Sequence, residues 1–94
     1  MLSKPVGNTG LYTLTTTTGT HHATRTDGGS KIKVRIAATQ PAVVNFGTAV
    51  ADNNSDILIP AGIAEHFTLD STSTVSFVLL TGGTSGYISI TTVA

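Results

Sequence analysis

Nine residues, Lys31 to Thr39, read KIKVRIAAT, and they alternate. Ile32, Val34, Ile36 and Ala38 fall on one side of an extended chain. Lys31, Lys33 and Arg35 fall on the other. Successive side chains of a β-strand point to opposite faces, so this stretch predicts a strand with one buried face and one cationic face. A slip of one residue would bury three charges, which fixes the register. Period-two patterning recurs in LYTLTTTT, AVVNFG, DILIP, AEHFTLD, VSFVLL and YISITTV. Tyr12 and Leu14 share a face, as do Val44 and Phe46, Phe67 and Leu69, Val75, Phe77 and Leu79, and Ile88 and Ile90. VSFVLL is apolar on both faces, through Val78 and Leu80, which predicts a central strand or one covered by a partner.

Turn residues separate these runs. Asp27-Gly28-Gly29-Ser30, Gln40-Pro41, the loop TAVADNNSD, Pro60-Ala61-Gly62 and DSTST all favour reversal, and TGGTSG reads as a hairpin loop. PAGIAEHF is the one stretch that could suggest a helix, and Pro60 and Gly62 interrupt it. Seven or eight short strands spaced about 8–12 residues apart predict an all-β fold. The expected architecture is a small antiparallel β-sandwich or jelly-roll-like domain, with a small barrel as the nearest relative. MLSKPVGNTG carries Pro5, Gly7, Asn8 and Gly10 without a core pattern, and reads as a flexible, extended N-terminal arm over residues 1–10. Residues 11–94 are then the sandwich, one domain in a chain of 94 residues.

Composition narrows the function classes. Charged residues are 11% of the chain and the formal net charge is zero, against roughly 25% charged in an average globular protein. A nucleic-acid binder would show a basic stripe, so no nucleic-acid partner is expected. Threonine supplies about a fifth of the residues, and its hydroxyls carry much of the polarity. A surface of low charge and no net charge invites association, which predicts a chain that sits in an assembly. There is no cysteine, hence no disulfide and no thiolate metal site. The start of the chain lacks the apolar core of a signal peptide, and the apolar runs are too short for a membrane helix.

The chemistry-bearing residues do not assemble into a motif. Glu65-His66 and His21-His22 are neighbours on predicted strands, so each pair diverges to opposite faces. Zinc helices space their histidines at i and i+4 instead. A symmetry axis that gathers copies of one histidine is the remaining route to a metal. ADNNSD resembles a calcium loop in composition but lacks its spacing and its terminal Glu. No nucleophile elbow occurs, and TGGTSG has neither a phosphate-loop lysine nor a following helix. The expectation is a protein that is not an enzyme, with no cofactor, no metal and no small-molecule substrate. A glycan-binding module is the alternative that residues alone suggest, with Tyr12 and Tyr87 as the aromatics free to stack on a sugar.

One resemblance covers residues 31 to 92. Val34-Arg35-Ile36, Phe46-Gly47, Ile59-Pro60-Ala61-Gly62, Glu65 with Phe67, and Ser89-Ile90-Thr91 follow one another in an order that resembles small virion structural proteins of tailed bacteriophages. The resemblance implies a small β-sandwich on the capsid surface, assembled in the host cytoplasm. It further implies a decoration, or cement, role, binding the major capsid protein at capsomer junctions as a dimer or trimer. A head–tail or tail-associated structural protein is the alternative position. The expected contact residues are Lys4, Pro5, Val6, Leu11 and Tyr12 from the arm and first strand, with Lys31, Lys33 and Arg35 from the cationic strand face. Open strand edges would add main-chain hydrogen bonds to such contacts.

Overall fold

The computed structural model describes residues 4–26, 31–47, 51, 56–69 and 73–94. The turns expected at 27–30 and 70–72, and residues 52–55 of the loop ADNNSD, lie outside them. Eight strands follow one another: β1 (Pro5–Leu14), β2 (Gly19–His22), β3 (Ile32–Ala38), β4 (Ala42–Phe46), β5 (Ile57–Ile59), β6 (Glu65–Leu69), β7 (Thr74–Leu79) and β8 (Gly86–Val93). There is no helix among the described residues. One sheet runs β1-β8-β3-β6 and the other β2-β7-β4-β5, with every pairing antiparallel.

The pairing is nested. β4 pairs with β5, β3 with β6, β2 with β7 and β1 with β8. The chain is thus one long antiparallel ribbon folded back from the β4–β5 connection. It wraps so that β8 also pairs with β3 and β7 with β4. That order is a jelly roll within the β-sandwich class. The alternating sequence drives it, because each sheet has one apolar face and two such faces bury each other.

Val34, Ile36 and Ala38 of β3, Ile88 and Ile90 of β8 and Leu14 of β1 face Val75, Phe77 and Leu79 of β7, Ala42 and Val44 of β4 and Ile59 of β5. Each large aliphatic side chain buried this way contributes about 1.5–3 kcal/mol. The register read from KIKVRIAAT is the one observed: Arg35 is exposed while Val34 and Ile36 are fully buried. Phe46 and Phe67 close one side of the core, their ring centroids 5.1 Å apart. β7 is central in its sheet, and its outward Val78 packs with Val43, Ala51 and Leu80. Its two apolar faces therefore have two different covers.

Two expectations change. Residues 5–10 are not an irregular arm but the first half of β1, paired to β8, with Val6 only 8% exposed. Their Pro, Gly and Asn serve local geometry. The register shifts between Pro5 and Thr9, a bulge that such residues tolerate. Gly7 lies so close to the Thr24 carbonyl that a β-carbon would collide with it. The Asn8 side chain then ties the two segments, donating to the His22 carbonyl at 2.8 Å and accepting from the Thr24 N–H at 2.8 Å. The second change concerns TGGTSG. It joins β7 of one sheet to β8 of the other, so it is a corner and not a hairpin.

Candidate interaction surfaces

The sheet β1-β8-β3-β6 turns its polar face outward, and strand register lays out the side chains in rows. Thr9, Thr91, Arg35 and His66 form one row. Leu11, Ser89 and Ala37 form the next, and Thr13 and Tyr87 a third. Lys33 stands between Val93 and Thr68. Leu11 is 70% exposed and Tyr87 57%, so two large apolar groups stand in water on one half of the face. The other half is cationic, with Arg35 exposed and Lys33 half-buried. No Asp or Glu occupies an outward position of these four strands. The hydroxyls of Thr9 and Thr91 bond across strands at 3.2 Å.

The expected contact residues divide against this frame. Leu11 and Arg35 point outward from it, and Lys4, Pro5 and Lys31 are exposed beside it. Val6 is buried, and so withdrawn from any partner. Tyr12 is corrected too: it faces the core, where its ring lies 5.1 Å from that of Phe77. The glycan alternative thereby loses one of its two aromatics.

Tyr12 instead belongs to a buried polar pair. Its hydroxyl lies 2.6 Å from Nδ1 of His21, with the rings edge-on at 5.5 Å. β1 and β2 are edge strands of opposite sheets on the same flank, so this contact stitches the two sheets together. His21 is 2% exposed, and its Nε2 has no hydrogen-bond partner. If Nδ1 accepts from the tyrosine, Nε2–H is an unpaired donor. If Nδ1 donates, Nε2 is an unpaired acceptor. Either arrangement leaves one buried polar atom unsatisfied, at a cost of about 1–3 kcal/mol. Burial, and secondarily the neighbouring His22, lowers the His21 pKa below its ordinary value. Gly10 makes room for the pair, since a β-carbon there would collide with Tyr12 and with His21 Nδ1. The divergence read from the sequence is observed, for His22 is exposed and lies beside Ser73. The approach of Tyr12 to His21 across the β1–β2 corner was not foreseen; a glycine two residues before an inward tyrosine is the one local sign of it.

Glu65 opens β6 opposite Ile36, and His66 is exposed opposite Arg35. The described residues form no pocket and no group of three metal-ligating side chains. What the described residues present to a partner is the outward face of a small antiparallel β-sandwich. No family model, curated protein or solved structure matches the chain.

Proposed function

We propose that this chain is a decoration, or cement, protein of a tailed-phage capsid, binding the outer shell at capsomer junctions. The observation that carries the reading is the outward face of β1-β8-β3-β6. It joins exposed Leu11 and Tyr87 to Lys33 and Arg35 with no outward carboxylate among them. Such a face fits an acidic protein surface, where apolar anchors supply affinity and charges supply orientation and speed of encounter. The segment order over residues 31–92 supports the same assignment. The partner is the major capsid protein, and the mechanism is mechanical: each bound copy adds binding energy that shell rupture must overcome, and contact with two capsomers adds avidity.

The test is co-sedimentation of the purified chain with mature shells that lack it. Saturable binding at a fixed ratio to the shell protein is expected. The double variant Lys33→Glu/Arg35→Glu is expected to bind at least tenfold more weakly with an unchanged melting temperature. No binding by the wild-type chain would move the protein to the connector or tail.

A further inference from the structure

Four corners close one end of the sandwich: residues 15–18 between β1 and β2, 39–41 between β3 and β4, 60–64 between β5 and β6, and 80–85 between β7 and β8. Strand registers bring them together. Leu14 lies opposite Gly86, Ala38 opposite Ile88, and Ala42 opposite both Ile59 and Leu79. Backbone bonds then fix the corners. The Thr39 N–H donates to the Tyr87 carbonyl at 2.9 Å, Gly62 to Ala38 at 2.9 Å, Leu79 to Thr15 at 2.9 Å and Leu80 to Pro41 at 3.0 Å.

These corners read TTTT, TQP, PAGIA and LTGGTS, and not one residue in them is charged. The described charges lie elsewhere. Lys4, Arg25, Lys31 and Lys33 sit at the other end, where β1 and β3 begin and β8 finishes. Arg35 is mid-strand, Asp56 precedes β5, and half-buried Glu65, at the start of β6, is the charge nearest the neutral end. The large exposed apolar residue within these corners is Ile63, at 52% exposure. The molecule is thus sorted lengthwise into a charged end and a neutral one.

We propose that the neutral end is the surface through which copies of this chain associate with one another. A two-fold contact sets each residue patch against itself. Lysines and arginines in such a patch would face their own kind and repel, whereas the neutral end carries no such penalty. Its polar groups are also suited to self-recognition. Threonine and serine hydroxyls and the Gln40 amide both donate and accept hydrogen bonds, while an ammonium group only donates. A hydroxyl patch can therefore satisfy a copy of itself. Ile63 adds apolar area, and the zero net charge of the chain removes long-range repulsion between copies. The contact leaves Lys33 and Arg35 outside it and is independent of the shell assignment, because it is read in free solution.

Sedimentation equilibrium of the full chain at micromolar concentrations tests it. The wild-type chain is expected at an integral multiple of the monomer mass. Ile63→Lys and Thr84→Lys, both at exposed positions, are each expected to weaken association at least tenfold without lowering the monomer's circular dichroism or changing its strand content. Lys33→Glu, at the charged end, is expected to assemble as the wild type does. A monomeric wild-type chain, or lysine variants that assemble unchanged, or dissociation by Lys33→Glu alone, would overturn the proposal.

Discussion

His21 is buried, with one nitrogen at the Tyr12 hydroxyl and the other unpaired. The groups around it on β1 and β7 are Gly10, Tyr12, Val75 and Phe77, and its titratable neighbours are Tyr12 and His22. No described carboxylate is there to stabilise an imidazolium. Its folded pKa is lowered, so the unfolded chain binds the proton more readily. The stability contribution is complete above the unfolded value of about 6.5 and is lost as pH falls below it. Melting temperature is expected to drop by several degrees between pH 7.5 and pH 5, above the range where carboxylates titrate. Replacing His21 with Gln should flatten that drop, and replacing exposed His22 with Gln should leave it in place; equal slopes in both variants would reject the assignment. Gly10 offers a second readout. Exchanging a strand glycine for alanine ordinarily helps, but at Gly10 the added methyl meets both members of the pair. Gly10→Ala should destabilise by about 1–3 kcal/mol, as overpacking does, and a neutral or stabilising result in denaturant titration would show that the pair can move aside.

Elements differed in how openly the sequence declared them. β3 was legible because its alternation holds from Lys31 to Ile36 with Lys31, Lys33 and Arg35 on the outward side, so both strand and register follow from a few residues. β7 was legible as a strand, and its two-sided apolarity pointed to a central place or a partner's cover, of which the central place is observed. β1 was half legible. LYTLTTTT, residues 11–18, showed a strand, although it ends at Leu14 and 15–18 turn the corner to β2, while Pro5, Gly7 and Asn8 looked like an arm, because a bulge and a close crossing at Thr24 use the same residues as a loop does. The β7–β8 corner was illegible for a related reason. Gly82, at φ 89°, turns the chain, but whether the flanking strands pair with each other depends on distant strands that compete for their edges. The same distance hid the Tyr12–His21 contact, whereas the cationic half of the candidate surface was visible as Lys33 and Arg35. Val6 separates the arm from the strand experimentally. Val6→Asp would leave a free arm unaffected. In the observed strand it buries a lone carboxylate, and at about 3–5 kcal/mol and 4–8 °C per kcal/mol the melting temperature should fall by at least about 10 °C.

At the scale of the whole molecule, the low charge content works through placement. Cations gather on one sheet face and at one end, neutral hydroxyls at the other, so a chain with no net charge still has direction. If Lys33 and Arg35 meet an acidic shell surface, affinity should weaken as salt rises, since exposed charges are screened over about 10 Å at 0.1 M. The deficit of the Lys33→Glu/Arg35→Glu variant should shrink in parallel. A salt-independent deficit in quantitative co-sedimentation would show that these side chains act through packing instead.

The nested pairing has a consequence in time. β8 is inserted between β1 and β3, at the middle of its sheet. While a ribosome is still making residues 86–93, that sheet is two separated edges with their backbone groups unpaired, and only the inner hairpins of the ribbon can form. The first strand therefore waits for the eighth, and such distant pairing makes folding slow. The nascent protein spends its synthesis open to the strand-to-strand pairing that the finished molecule reserves for itself.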